Sequence, residues 1–501
     1  MAFNSLEYAI FLIAVFLAFW GLARFGLARL LFLSVVSYVF YAASNPWFLT
    51  LLIGSTLIDY FIGLALARDD HDRAAIGLGR PSPDAPASRY RRLLLVTSLV
   101  TNLGMLAVFK YTNFFLETGV AVGNLFGADL VFTRLDIILP AGISFYTFQT
   151  LSYTIDVYRG ILPAEKSFLR FAFFVGFFPQ LVAGPIVRAA DFLPQIHKRP
   201  FLSRQQASRA LWLIAIGLFK KMCIADVLGG DIADRVWEDP SRVSSFDVLI
   251  GLYAYTMQVY MDFSAYSDIA IGSALLFGYH LPDNFDRPYM AVSIQDFWRR
   301  WHKTLGSWLR DYLYYPLGGA KGSDLRVYFN LFVTFLLIGF WHGANINFLL
   351  YGVGHALAMC INRWWRKSRE RAGKLKGDIL TVWGLLWRVF VTLHFVVFMR
   401  ILFRSAKPEY SSEQAFDLAG AITSRLFDDA WGAVTVLSPM LAVLLIGSYV
   451  VHWTPRRWVE ATYKGFARLH PVWQGIVFTT AVMFMIHVLS GRPRPFDYFQ
   501  F

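Results

Sequence analysis

Long apolar runs recur along the whole chain, and they restrict its possible folds more than any other feature. Nine are read as membrane crossings of a ~30 Å hydrocarbon core: Leu6–Ala23, Leu30–Ala43, Trp47–Ala67, Leu93–Phe109, Ile137–Val157, Leu211–Leu228, Ile379–Leu402, Trp431–Val451 and Val472–Leu489. Three more stretches, Phe168–Val187, Phe246–Tyr279 and Val327–Ile361, are apolar but interrupted. A water-facing surface cannot be built around them, because only 16% of the residues are charged where a soluble domain carries ~25%. Two cysteines rule out a disulfide scaffold, and the apolar content rules out disorder. The expected fold is all-α: a polytopic transmembrane helical bundle of about 10–12 crossings, with re-entrant and interfacial helices, forming one integral-membrane domain over residues 1–501. Glu7 at the start of the first run, just before the unbroken apolar stretch from Tyr8, without a basic leader or small-residue cleavage site, makes that run a retained helix rather than a signal peptide.

The net charge of +13 lies in the gaps between runs, and no nucleic-acid-binding motif accompanies it. Six arginines fall in Arg68–Arg92, five Lys/Arg in Arg188–Arg209, seven in Asn362–Gly377 and four in Trp453–Arg468. The acidic gaps hold Asp231, Asp234, Glu238 and Asp239, then Glu409, Glu413, Asp417, Asp428 and Asp429. The positive-inside rule places the basic set, including 68–92 and 362–377, in the cytoplasm, with both termini outside. That parity fails at Phe168–Val187, whose flanks are both basic. A re-entrant segment broken at its Phe-Pro and Gly-Pro pairs resolves it. Pro81, Pro83 and Pro86 mark the first basic gap as a loop.

Two stretches carry chemistry. In Gln295–Gly319, Trp298, Trp301, His302, Leu305, Leu309 and Tyr312 fall on one face of a single expected helix, with Arg299, Arg300, Lys303 and Arg310 on the others. A plain lipid anchor would carry leucine where this face carries His302. In Gly339–Ala356, His342 ends an apolar helix expected from Val327 to Trp341, only ~22 Å long at 1.5 Å per residue. An ionisable group at that depth, beside Trp341, Asn345 and Asn347, is by default a functional-site residue. His355 reads as structural, and Asp59, Asp156, Asp262, Asp268, His394 and His487 as helix-packing hydrogen bonders. Metal-ligand spacing, a Walker loop, a Rossmann fingerprint and a nucleophile elbow are all absent, so no metal or cofactor is expected; Cys223 and Cys360 receive no disulfide. On these residues alone, enzyme and transporter stand nearly even.

The chain resembles the membrane-bound O-acyltransferase family, in its bacterial alginate O-acetyltransferase-like branch. The resemblance rests on FFVGFFPQLVAGPIVR (Phe173–Arg188), QDFWRRWHKTLGSWLRDYLYYPLGG and GFWHGANINFLLYGVGHA. It implies that His342 is the catalytic histidine and that His302 faces the same cavity. Ile346 and Ala356 depart from the family's usual Trp and Gly, which bears on pocket shape. The implied reaction moves an acetyl group from cytoplasmic acetyl-CoA, a donor substrate rather than a cofactor, toward a periplasmic acetyltransferase partner of an exopolysaccharide pathway at the cell inner membrane. His342 serves either as general base or as acetyl carrier. Trp298, Arg299, Arg300, Trp341, Asn345 and Asn347 are the expected substrate-binding residues, with the basic-aromatic helix meeting the CoA phosphates. D-alanyl or other acyl transfer to an envelope polymer, or acyl-group transport without chemistry, are the alternatives.

Overall fold

The computed structural model describes residues 2–75, 88–373, 381–407, 409–428, 432–489 and 496, and the side chains of all of these except 69–75 and 486–489. Every regular element among the described residues is helical. Four helices are long and apolar enough to cross a membrane: Phe48–Arg68, Arg89–Leu125, Asp324–His342 and Val382–Ser405. Four shorter apolar ones accompany them: Leu6–Gly21, Gly26–Ala42, Pro439–Trp453 and Pro471–Met485. The expected ten to twelve spans are thus not all single long helices. Leu211–Leu228, for example, becomes an α-helix over Arg204–Phe219 followed by a π-helical turn at Lys220–Ala225. Phe168–Val187 is broken, as its prolines suggested. Phe168–Gly176 ends at Phe177, and a single turn, Phe178–Leu181, restarts with Pro179 near its first position.

The chain divides into two compact units, Met1–Ile214 with Ser267–Pro282, and Ala215–Tyr266 with Asp283–Phe501. In the first, helices Phe48–Ala75, Arg89–Leu106 and Ile143–Tyr158 meet around the buried Asp59. Its Oδ1 accepts from the hydroxyls of Ser98 (2.5 Å) and Thr154 (2.7 Å), and its Oδ2 from Asn102 Nδ2 (2.7 Å). Gly63 permits this approach, since a Cβ there would lie 2.6 Å from the Tyr153 hydroxyl. The basic gap 68–92 is only partly a loop. Arg91 is buried and donates to the carbonyls of Leu66 (3.0 Å) and Tyr158 (2.7 Å). Pro81, Pro83 and Pro86 lie outside the described residues, as do Asp429 and the His487 side chain.

In the second unit, Lys221 is buried between Asp226 and Asp262, each 2.8 Å away, and His394 meets the Tyr253 hydroxyl at 2.5 Å. The element that positions the candidate site is a helical hairpin, Asp324–His342 and Ile346–Arg371. It packs so closely that a Cβ on Gly339 would lie 2.7 Å from Gly352 Cα, and one on Gly352 2.8 Å from the Phe335 carbonyl oxygen. Two glycines facing each other remove the side chains that would hold the helices apart. His342, three residues beyond Gly339, is therefore pressed against the start of the second helix. At the opposite end Asp324 pairs with Lys367, and with Arg371 at 3.4 Å. Residues 362–371 of the second basic gap are thus helix rather than loop.

Candidate active site

His342 is the last residue of its helix, with Gly343 extended after it. The helix begins at Asp324, three residues earlier than expected, so its 19 residues rise ~28 Å, enough to approach the far side of a hydrocarbon core. The serine before it explains the shift: Ser323 caps the helix by accepting from the Arg326 N–H at 3.4 Å. The His342 imidazole is buried, with ring centroids of Trp341 at 5.0 Å, Phe403 at 5.1 Å, Tyr351 at 6.1 Å and Phe348 at 6.3 Å.

His302 does not lie within a continuous helix. The expected helix over Gln295–Gly319 breaks into Ile294–Arg300 and Lys303–Leu309, with His302 between them at φ +43°. That left-handed conformation is costly for a residue with a Cβ, and a neighbouring loop holds it. Asn284 Oδ1 accepts from the Thr304 hydroxyl (2.9 Å) and N–H (3.4 Å), so it is an oxygen that faces His302 Nδ1 at 3.1 Å. The same Nδ1 accepts from the Leu305 N–H at 3.4 Å, so this ring nitrogen caps the helix Lys303–Leu309 as well as meeting Asn284. The loop is fixed in turn. The Lys303 N–H donates to the Asn284 carbonyl and the Asp286 N–H to the Arg300 carbonyl, both at 2.9 Å, and Asp286 pairs with Arg456. Burial raises the Asp286 pKa, but the Arg456 hydrogen bond and the charges of Arg456, Arg300 and Arg287 outweigh it and hold the carboxyl below its ordinary value.

Trp341 stands between the two histidines, its ring 6.1 Å from that of His302 and 5.0 Å from that of His342. The other expected residues are placed differently. The indole N–H of Trp298 donates to His355 Nδ1 at 3.2 Å, which gives that histidine a structural partner. Arg299 is exposed, and Arg300 pairs with Asp296 at 3.0 Å. Asn345 caps the following helix by accepting from the Asn347 N–H (3.0 Å), and Asn347 donates to the Ala415 carbonyl (2.6 Å). These last two asparagines tie the turn after His342 to the helix Ser412–Phe427.

A cavity of about 860 Å³ opens beside Val292–Ile294, lined by Trp365, Trp387, Arg369, Arg388 and Phe395. The Phe395 ring packs on His355 (5.1 Å), His355 on Tyr351 (4.4 Å), and Tyr351 on His342. Sequence reading did not select Asn284, because nothing local distinguishes a loop asparagine. It also passed over Arg400, although a lone arginine inside the run VVFMRILF is a signal of the kind that singled out His342.

Residues 162–403 match the model of MBOAT, the membrane-bound O-acyltransferase family. The chain is 36% identical over 405 residues to a peptidoglycan O-acetyltransferase of Helicobacter pylori, covering 76% of this chain and 71% of that one. The chain belongs to the membrane-bound O-acyltransferase family. Within it, a probable alginate O-acetylase AlgI of Pseudomonas aeruginosa is 40% identical over 363 residues, 72% of this chain. The match spans 66% of that relative's length. A teichoic acid D-alanyltransferase of Bacillus subtilis is 27% identical over 277 residues, 53% of this chain and 69% of that one. Both histidine segments fall inside the matched region, and family membership with the apolar helices makes this a multi-pass membrane protein.

Proposed function

We propose that the protein is an O-acyltransferase of the cell envelope that takes an acetyl group from acetyl-CoA and passes it, at His342, toward an exopolysaccharide. The observation that carries this reading is the buried imidazole at the end of a membrane-length helix, joined through Trp341 to a second histidine with an oriented ring. The matched relatives bearing O-acetylase and O-acetyltransferase names support the chemistry. In this reading the neutral His342 takes the proton of an attacking hydroxyl as that oxygen approaches the thioester carbon. His302, held by Asn284, orients the reacting groups. The cavity with Arg369 and Arg388 meets the CoA phosphates with fixed positive charge, a better-placed pair than the exposed Arg299. With the basic segments in the cytoplasm of an inner membrane, acetyl-CoA enters from that side. A periplasmic acetyltransferase partner receives the group on the other.

The test is labelled acetyl-CoA supplied to membrane vesicles that hold the chain and its envelope polymer. CoA thiol release with label on the polymer or on the partner is expected. Acetyl-CoA left intact would reject an acetyltransferase. Label taken instead from a D-alanyl donor would move the protein to the teichoic-acid type of reaction.

A further inference from the structure

The helix Val382–Ser405 carries two arginines one turn apart, Arg400 buried and Arg404 partly buried, and the fold treats them differently. Arg404 pairs with Asp234. Arg400 is 1% exposed and has no carboxylate partner among the described residues, and its Nε and Nη2 have no hydrogen-bond acceptor. Its guanidinium lies 4.9 Å from the Trp301 ring and 5.3 Å from the Phe403 ring. Those rings face the cation but take none of its in-plane N–H groups. Among the described residues its hydrogen-bonding neighbour is the Tyr289 hydroxyl, which itself donates to the Thr256 carbonyl at 2.6 Å. The Nε–Nη2 edge, the side that grips an oxyanion with two parallel donors, is therefore left open. An unneutralised charge at this depth marks a functional position. The position is shared with both histidines. Phe403 also packs on His342 at 5.1 Å, and Trp301 immediately precedes His302.

We propose that Arg400 is a catalytic residue of the acyl transfer, its Nε and Nη2 receiving the oxyanion that forms on the thioester carbonyl. The proposal rests on the acyltransferase reading above. Acetyl-CoA carries its permanent charges on phosphates at the far end of a long arm, so at the reacting carbon the only negative charge is the one that develops during attack. The acceptor oxygen bonds to the carbonyl carbon, its proton passes to His342, and the C=O π pair moves onto the oxygen facing Arg400. When that pair re-forms the C=O bond, the C–S bond breaks with its electrons on sulfur, and the imidazolium proton goes to the departing thiolate. A donor pair in place before charge appears stabilises the transition state without reorganisation.

The experiment measures acetyl-CoA turnover by the full chain in vesicles of the producing cell, for wild type and for Arg400→Gln, Arg400→Lys and Arg400→Ala. Losing such donors costs about 10²–10³-fold in kcat, and KM for acetyl-CoA should stay within about threefold, because the ground-state ester is neutral there. Arg400→Lys, which keeps the charge on a stem of similar length, should fall between. Added guanidinium at non-denaturing concentration should partly restore turnover by Arg400→Ala and leave His342→Ala inactive. A purely structural role would not produce that rescue. An Arg400→Gln enzyme with wild-type kcat overturns the proposal, as does a loss confined to KM. If Arg400→Ala fails to insert, the kcat of Arg400→Lys decides, and a wild-type value there counts against it. A wild type that turns over no acetyl-CoA defeats the proposed function, and this inference falls with it. Turnover by wild type with unaffected Arg400 variants defeats this inference alone.

Discussion

Asp59 in the first unit and Arg400 in the second are both fully buried charged residues on long apolar helices, yet their surroundings differ completely. Asp59 has hydrogen-bond donors from three side chains on two other helices, and both of its oxygens are used. Arg400 has aromatic faces around it and two donors with nothing to bond. A satisfied buried charge acts as a fastener, since its desolvation is offset by hydrogen bonds that exist only in the folded chain. On the proposal above, Arg400 keeps its interaction for a charge that develops during the reaction. Burial alone therefore does not separate structural from functional charges in this protein. On the proposal for Arg400, the pair of unused donors on one guanidinium edge does.

The sharpest way to test that contrast is at His342, which the proposed reaction makes the proton acceptor. His342→Ala should lower acetyl turnover by about 10²–10⁴-fold with membrane insertion unchanged, and turnover near the wild-type rate would remove the site from this unit. His302 comes next. In the proposed function its ring orients the reacting groups, so His302→Ala should cost about 10–10²-fold through misplaced groups. His302→Asn, which keeps a polar group of similar reach, should lose less. Equal losses in the two variants would mean that the imidazole itself reacts. Asp59→Asn puts an N–H₂ group against hydroxyl and amide donors, and should destabilise the fold by about 1–3 kcal/mol. Thermal unfolding in detergent would measure this, and turnover per folded molecule should hold within about twofold. A rate loss without a stability loss would make Asp59 functional and dissolve the comparison. The smallest effect belongs to Arg299→Gln. Exposed and apart from the aromatic cage, it should change neither stability nor KM by more than about twofold, whereas Arg369→Gln and Arg388→Gln should each raise KM for acetyl-CoA.

Much of this was legible in the residues. The run ending in GFWHGA placed a histidine at a helix end, because apolar periodicity stops and Gly343 follows it. The break at Phe177–Pro179 was likewise written in a proline. His302 stands out in the sequence, but the continuous helix expected around it is broken there. Helical spacing on both sides of it is real, and only Asn284, eighteen residues upstream, turns the backbone to positive φ between the two halves. Asn345 and Asn347 looked like part of a polar site because they neighbour His342 in sequence. The Asn345 side chain caps the next helix and the Asn347 amide N–H₂ bonds the Ala415 carbonyl, while Asn347 Oδ1 has no hydrogen-bond partner among the described residues.

By itself, then, the sequence determined what local forces determine: helical runs, their membrane character, the basic and acidic gaps, and the two histidine segments with the family they resemble. Which polar groups are satisfied was decided only in three dimensions. A hydrogen bond joins residues far apart in the chain, and its absence at Arg400 becomes visible only when every neighbour is in place. The same holds for the ring orientation of His302 and for the contact between Gly339 and Gly352. Each depends on distances between segments, and no local pattern of residue types encodes those.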